Sequence, residues 1–362
     1  MPMPDEPLLR AALAGLHDPH TDAPLVAESV RGLAVDQGRV VAHLQLPYAA
    51  AGWHEELAAR AEAALRGVPG VVSALVDVGQ RVYAHRVQNE LSPLPEVKNL
   101  IAVASGKGGV GKSTTAVNLA LGLAAEGARV GLLDADIHGP SIPMMLGLSG
   151  KPESPDGKAI SPKLAHGLQV MSIGLFLDED QATIWRGPMT SQYLQQLFNT
   201  TLWDGLDYLV VDLPPGTGDV QLTLSQRMPV SGAVIVTTPQ DIALLDAKRA
   251  LAMFGKVGVP VLGIVENMAL HTCTNCGHVE HVFGQGGGQA MALRYGLPLL
   301  ASLPLDGRIR EQADAGLPTV LAEPGGANAA AYRWMARRVA AQLALQPKNR
   351  QIGFPGITVE ST

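Results

Sequence analysis

A glycine-rich segment at residues 104–115 contains the residue types that bind a nucleotide phosphate chain. It has the sequence ASGKGGVGKSTT, in which Gly106, Gly111, Lys112 and Ser113 fit the pattern G-x-x-x-x-G-K-[ST]. Glycines lack a Cβ, so backbone N–H groups can turn toward phosphate oxygens. We expect Lys112 to reach the β- and γ-phosphates and the Ser113 hydroxyl to bind Mg²⁺.

The segments on either side of this loop support the same interpretation over a chance match in a glycine-rich chain. An apolar run, Asn99–Ala104, precedes the loop and a helix-forming stretch, Thr114–Glu126, follows it. Strand, loop and helix in that order are the context that the motif requires, and the helix start adds unpaired N–H donors. The other loop residues expected to contact the nucleotide are Lys107, Gly108, Gly109, Val110 and Thr114.

Two further segments place carboxylates after apolar runs. Asp134 and Asp136 lie two residues apart in DADIHGPS, so at a strand end they share a face, and one can face the metal and the attacking water. A helix cap is the alternative role for this pair. Asp212 ends an apolar run and begins DLPPGTGD, where it is expected to hold Mg²⁺ directly or through water. Gly216 in that loop can offer its N–H to the γ-phosphate, and the loop can take two arrangements.

The chain has two cysteines, Cys273 and Cys276, in the segment HTCTNCGHVEH. A thioredoxin-like redox pair is disfavoured, because such a pair begins a helix just after the first strand. A zinc site needs two more ligands, and His271, His278 and His281 are available. A [4Fe–4S] cluster needs four thiolates, which a symmetric dimer of this chain would supply.

Composition excludes several other functional classes. The formal net charge of −6 argues against a general nucleic-acid surface. No apolar run reaches the roughly 20 residues of a membrane-spanning helix, and the acidic, proline-containing start MPMPDEPLL does not resemble a signal peptide. Two cysteines cannot form a disulfide framework. We therefore expect a cytoplasmic protein that binds neither nucleic acid nor membrane.

The chain divides into four parts. Residues 1–80 predict a small α/β domain of order α-β-β-α-β, residues 81–98 a linker, residues 99–346 an ATPase domain and residues 347–362 a disordered tail. The predicted elements of the first part are Glu6–Leu16, Ser29–Val35, Arg39–Leu46, Trp53–Arg66 and Val71–Val78.

Apolar runs alternate with helical patterns through the ATPase domain. Runs without polar alternation are typical of strands covered on both faces. This pattern predicts an α/β fold with a doubly wound, mostly parallel sheet, whose functional groups cluster at the carboxyl ends of the strands. The predicted strands are Leu100–Ala104, Val130–Asp134, Leu168–Ile173, Tyr208–Leu213, Ala233–Thr237, Val261–Val265 and Leu299–Leu303.

The segment KGGVGKST, with Lys107 directly after the first glycine, resembles the deviant Walker A family of P-loop ATPases. That family includes ParA, MinD, the nitrogenase iron protein and the Mrp-type iron–sulfur cluster carriers. DADIHGPS, WRGPM, DLPPGTGD, VENM and C-x-x-C are most similar to the Mrp branch. The resemblance implies that Lys107 reaches the partner's phosphates in a nucleotide-sandwich homodimer, that Asp136 orients the water, and that Asn267 binds adenine, which suits an amide. It assigns no role to Arg186.

The resemblance implies a homodimeric ATP-binding and ATP-hydrolysing protein. Its Cys273 and Cys276 pairs would hold a labile [4Fe–4S] cluster, received from a cluster-assembly scaffold and passed to apo iron–sulfur proteins. The first 80 residues resemble a PaaD-like iron–sulfur-assembly domain but lack a cysteine in Pro47–Trp53, which favours a docking or regulatory role. A ParA- or MinD-like positioning ATPase and a zinc-stabilised, nucleotide-dependent scaffold are the alternatives.

Overall fold

The N-terminal unit is a three-stranded sheet with two helices on one face. The computed structural model describes residues 4–88, 91–137, 139–176 and 187–349. In the N-terminal sheet, the middle strand pairs antiparallel with the first and parallel with the third. The elements are α1 (Glu6–Ala14), β1 (His17–Asp18), β2 (Ala23–Pro24), β3 (Val30–Asp36), β4 (Arg39–Leu46), α2 (His54–Arg66) and β5 (Ser73–Gln80).

This arrangement confirms the predicted α-β-β-α-β order. Alternate residues of β4 are buried, as expected for a strand with one covered face, and Leu57, Ala61 and Leu65 of α2 are buried with them. The last strand begins two residues later than predicted. Val72 precedes the strand, and its N–H donates to the carbonyl of Gly38 at 2.7 Å.

The segment predicted as a linker packs against the ATPase domain. Its described residues form no helix or strand, yet His85 and Gln88 are buried. Asn99 Oδ1 accepts from the N–H of His85 at 3.0 Å, and Gln88 Nε2 donates to the carbonyl of Ser225 at 2.7 Å. Residues 347–349, expected to begin a disordered tail, instead hydrogen-bond with residues 84–86. Residues 350–362 lie outside the described residues.

The central sheet of the ATPase domain has the order β13-β12-β11-β6-β10-β7-β9-β8, with β14 paired to β12. Its strands are β6 (Leu100–Ala104), β7 (Val130–Asp134), β8 (Lys163–Ala165), β9 (Leu168–Ser172), β10 (Tyr208–Asp212), β11 (Gly232–Thr237), β12 (Val261–Thr272), β13 (Val279–Glu280) and β14 (Leu299–Pro304). All seven predicted strands are present and pair in parallel. Sequence reasoning missed the short antiparallel strands β8 and β13, and β12 continues seven residues beyond its predicted end.

Helices cover both faces of this sheet, which confirms the doubly wound fold. Ile101 and Val103 of β6 belong to one hydrophobic core, whereas Leu100, Ala102 and Ala104 belong to the other. The helices are α3 (Lys112–Ala125), α4 (Ile142–Met145), α5 (Gly187–Thr200), α6 (Asp219–Arg227), α7 (Asp241–Lys256), α8 (Gly287–Tyr295), α9 (Gly307–Asp314), α10 (Thr319–Ala322) and α11 (Ala327–Ala344). Arg186 lies outside the described residues. No helix in the described ranges is both long and apolar enough to cross a membrane.

The N-terminal unit contacts the ATPase domain at the end of α3. Glu126, the residue that ends this helix, is 1% exposed, and its carboxylate accepts from the N–H of Gly52 at 2.7 Å. The other carboxylate oxygen lies 2.7 Å from Arg337 Nη2 in α11. A Cβ at position 52 would lie 2.5 Å from Arg337 Nη2, so a larger residue there would shift the guanidinium that pairs with Glu126.

Replacing Glu126 tests this contact. We expect Glu126→Ala to lower the free energy of unfolding by about 3 kcal/mol, because it leaves Arg337 without its buried partner. The measurement is urea denaturation followed by circular dichroism. The matched control is Arg310→Ala, which removes an exposed ion pair with Asp314 and should cost less than about 0.5 kcal/mol. Equal losses in the two variants would contradict the importance of the Glu126 contact.

Candidate functional site

The glycine-rich loop joins β6 to α3, and three of its glycines are required by geometry. Gly109 and Gly111 both have φ of 79°, in the left-handed region that side chains disfavour. Gly106 packs against α7, where a Cβ would lie 2.1 Å from the carbonyl carbon of Asp246. The conformation of the loop therefore depends on these three glycines, which larger residues could not replace without strain or a clash.

Lys112 lies at the centre of a cluster of acidic side chains. Its Nζ is 2.6 Å from Asp212 Oδ1, 3.4 Å from Asp136 Oδ2 and 3.3 Å from Ser113 Oγ. The lysine is 6% exposed, so its positive charge is compensated by these acids rather than by hydration. The structure thus brings together four predicted site residues: Lys112 and Ser113 from the start of α3, Asp212 from the end of β10, and Asp136 from the segment that follows β7.

A crevice of about 240 Å³ opens above this cluster. Most of the predicted loop residues line it: Lys107, Gly108, Gly109, Gly111, Lys112, Ser113 and Thr114, together with Asp136. Sequence reasoning missed Ser105, Ser141, Met145 and Pro215, which complete the lining. Ser141 and Pro215 belong to the DADIHGPS and DLPPGTGD segments, so their membership in those motifs could have predicted that they line the crevice.

Asp134 lies beside the crevice as a buried structural acid. It accepts hydrogen bonds from Ser172 Oγ at 2.9 Å and from the backbone N–H groups of Asp136 and Ile142. Burial and the neighbouring Asp212 raise the pKa of Asp134 to about 7. Burial also raises the pKa of Asp212, against the opposing effect of Lys112.

The Asp212 carboxylate has an oxygen suited to a cation. Its Oδ2 is buried, and no described residue donates a hydrogen bond to it. A buried acceptor without a donor is costly unless a ligand or water satisfies it. Asp212 Oδ2 and the nearby Ser113 hydroxyl are the oxygen ligands that Mg²⁺ prefers, so these residues fit the metal predicted for the site.

Two predicted nucleotide contacts are engaged within the protein. The N–H of Gly216 donates to the Ser105 carbonyl at 3.0 Å, so donation to a phosphate requires this loop to rearrange. Asn267 Nδ2 donates to the Val110 carbonyl at 2.9 Å. Val110 is buried. Asn267 therefore contacts the phosphate-binding loop itself.

The cysteines occupy a turn between β12 and β13. The N–H of Cys273 donates to the His278 carbonyl at 2.9 Å, and the N–H of Gly277 donates to the Cys273 carbonyl at the same distance. Backbone N–H groups of Cys276 and Asn275 lower the pKa of the Cys273 thiol, which favours the thiolate that binds metals. Cys276 is exposed and Cys273 half-buried.

The neighbouring histidines are directed at the protein backbone. His271 Nδ1 donates to the Leu305 carbonyl at 2.9 Å, and His281 Nδ1 donates to the Ala269 carbonyl at 2.7 Å. In the part of the chain that the structure describes, no three His, Cys, Asp or Glu side chains are grouped to hold a metal ion. A metal held by Cys273 and Cys276 therefore needs further ligands, whether it is zinc or part of a cluster.

Comparison with protein-family models assigns both domains. A model described as the NUBPL iron-transfer P-loop NTPase of the ParA group matches residues 96–340. The chain belongs to this family. A second model, described as an iron–sulfur cluster assembly protein, matches residues 8–76. The resemblance drawn from the motifs is therefore confirmed, and so is the relationship of the N-terminal domain to iron–sulfur assembly proteins.

Curated relatives carry related names. The chain is 55% identical over 296 residues to the iron–sulfur cluster carrier protein of Escherichia coli strain K12, covering 80% of each chain. It is 44% identical over 346 residues to the protein of that name from Deinococcus radiodurans, covering 94% of this chain and 96% of the relative. It is 50% identical over 258 residues to the mouse iron–sulfur cluster transfer protein NUBPL, covering 71% and 81%.

Solved structures support the fold. A nucleotide-binding protein from Archaeoglobus fulgidus in complex with ADP is 39% identical, with a TM-score of 0.54, and the match covers 61% of this chain and 87% of that one. The cell-division ATPase MinD from Pyrococcus furiosus is 24% identical, with a TM-score of 0.50 and coverage of 67% and 98%. The second match shows the P-loop NTPase fold alone.

Replacing Lys112 tests the nucleotide site. We expect Lys112→Ala to weaken binding of a fluorescent ATP analogue at least about tenfold, since a buried charged contact to phosphate is lost. Fluorescence titration measures the affinity, and circular dichroism checks that the variant is folded. The control is Lys248→Ala, which removes an exposed lysine from α7. Unchanged affinity in the folded Lys112 variant would contradict the assignment.

The raised pKa of Asp134 predicts a pH-dependent stability. Between the ordinary carboxyl pKa and about 7, the folded state binds more protons than the unfolded state, so Asp134 makes the protein less stable as pH rises. Asp134→Asn removes this dependence. The stability of the variant relative to the wild type should therefore rise between pH 4 and pH 7, by at most about 4 kcal/mol. Urea denaturation across that range measures the difference, and a constant difference would contradict the raised pKa.

Proposed function

We propose that this protein is an ATP-binding and ATP-hydrolysing carrier, which holds a labile [4Fe–4S] cluster at a homodimer interface and transfers it to apoproteins. The observation that carries the proposal is that one sheet bears both the Lys112–Asp212 pair and, just after β12, the half-buried Cys273 with the exposed Cys276. The names of the curated relatives support the cargo, and the family membership supports the nucleotide chemistry.

Hydrolysis would use the residues around the crevice. The loop N–H groups and Lys112 would hold the β- and γ-phosphates, and Ser113 with Asp212 would hold Mg²⁺, which neutralises developing charge on the phosphates. Asp136, 3.4 Å from Lys112 Nζ, would orient the attacking water. Because Lys112 Nζ lies 2.6 Å from Asp212 Oδ1, a phosphate bound by the lysine would take the place of that carboxylate.

The cluster requires two copies of the chain. Each copy offers Cys273 and Cys276, and a two-fold axis beside the turn would supply four thiolates. Exposed apolar side chains near the turn and at the start of α7 support such an interface: Ile242 is 71% exposed, Leu245 54% and Val282 52%. Half-buried Lys107 at the crevice would reach the partner's phosphates across the same interface.

The proposed [4Fe–4S] cargo implies which proteins this chain would interact with. Apo iron–sulfur proteins would receive the cluster, and a cluster-assembly scaffold would supply it. The N-terminal domain, held away from the crevice at the far end of α3, would act in docking or regulation, because it presents no cysteine of its own.

The test is anaerobic reconstitution with iron and sulfide. We expect about four iron and four sulfide per dimer, measured by chemical analysis and light scattering. Stoichiometric zinc without sulfide, in protein as purified, would contradict the cluster and support a zinc scaffold. Salt-dependent DNA binding would instead support a positioning ATPase.

Cysteine variants separate the two sites. We expect Cys276→Ala to abolish cluster binding, because two thiolates per dimer do not replace four. The nucleotide affinity should be retained, since the cysteine turn contributes nothing to the crevice. Absorbance after reconstitution and fluorescence titration measure the two properties. The matched control is Thr274→Ala in the same turn, which should bind both ligands. A cluster retained in the Cys276 variant would show that the ligands lie elsewhere.

A further inference from the structure

Strand β12 connects the nucleotide loop directly to the cysteine turn. Asn267 lies in the middle of this strand and donates to the Val110 carbonyl of the loop. The contact is close, since a Cβ on Gly111 would lie 2.2 Å from Asn267 Nδ2. Cys273 follows six residues later on the same chain, roughly 20 Å away for an extended strand.

The strand is irregular at the point where it meets the loop. Met268 has φ of 57°, a left-handed conformation that is uncommon for a long side chain. The pairing of β12 with β14 shifts register between Glu266 and Leu270. Residues held in such conformations cost energy and cluster where a protein changes shape. We name Asn267 and Met268 the β12 bulge.

The cysteine turn is attached to the strand just beyond this bulge. His281, which follows β13, donates from Nδ1 to the Ala269 carbonyl at 2.7 Å. In β12, before the cysteine turn, His271 Nδ1 donates to the Leu305 carbonyl at 2.9 Å. Movement of the bulge would therefore be passed through Ala269 and His281 to the chain that follows Cys276.

We propose that the β12 bulge transmits the nucleotide state to the cysteine turn, and that His281 is a positioning residue that couples the turn to the strand. The route begins at the Val110–Gly111 peptide of the glycine-rich loop, where the Val110 carbonyl accepts from Asn267. It continues through Asn267 and Met268, and ends where His281 holds the return strand. The inference rests on the proposed nucleotide binding but does not require that the cargo is a cluster.

The experiment measures the alkylation of the two cysteines in the full-length chain without cluster. Iodoacetamide rates at Cys273 and Cys276 are followed separately by mass spectrometry, with ADP and with a non-hydrolysable ATP analogue plus Mg²⁺. In the wild type we expect the two nucleotides to give rates that differ about fivefold or more at one cysteine, as is typical for coupled sites. In His281→Ala the difference should vanish, while the affinity for both nucleotides is unchanged.

The matched control is His278→Ala. His278 lies in the same turn, but its side chain makes no hydrogen bond with the residues that the structure describes, so the nucleotide effect should persist. A second variant, Met268→Gly, accepts the left-handed conformation and removes the side chain that lies near Gly111. It should reduce the effect without acting on the turn itself.

The outcomes distinguish the inference from the proposed function. A full nucleotide effect retained in His281→Ala and Met268→Gly would overturn the route through β12. Nucleotide binding without any change in alkylation in the wild type would overturn the coupling alone. Failure of the wild type to bind either nucleotide would overturn the coupling together with the proposed function. Failure of cluster reconstitution with a normal alkylation effect would overturn only the cargo.

Discussion

The buried contact between Lys112 and Asp212 is the interaction on which the site depends. A lysine ammonium and a carboxylate this far from water are stable only when each compensates the other. The glycine loop brings the lysine to this point. Parallel strands β7 and β10 end beside each other, so that Asp212 at the end of β10 and Asp136 just after β7 both lie near it. Any ligand that draws Lys112 away must leave Asp212 another positive partner. A magnesium nucleotide would do both, since phosphate would pair with the lysine and the metal with the carboxylate.

Much of this arrangement could be predicted from the sequence because it depends on local pattern. Runs of buried apolar residues identify parallel strands, and a motif whose flanks are a strand and a helix fixes the loop between them. Lys112, Asp136 and Asp212 were expected together for this reason, since the carboxyl ends of parallel strands meet at one edge of a sheet. The boundaries of the strands differ from prediction by a few residues, except at β12.

The features that sequence reasoning missed depend on contacts between distant residues. Beyond Val265, strand β12 contains Glu266, Asn267 and His271, so its apolar pattern stops although the strand continues to Thr272. These polar groups are satisfied by partners far along the chain, such as the Gly288 N–H that donates to Glu266. Likewise, nothing in the pattern around Gly216 indicates that its N–H is used by Ser105, and nothing near Glu126 indicates that it holds the N-terminal domain.

The position of that domain has a consequence for the shape of an assembly. Helix α3 starts at the phosphate-binding loop and ends at Glu126, a length of roughly 20 Å for its 14 residues. The N-terminal domain is attached at the second of these ends. Two chains that met through their nucleotide loops would carry their N-terminal domains at opposite poles of an elongated particle. Each N-terminal domain could then bind a separate protein, and neither bound protein would block the interface between the subunits.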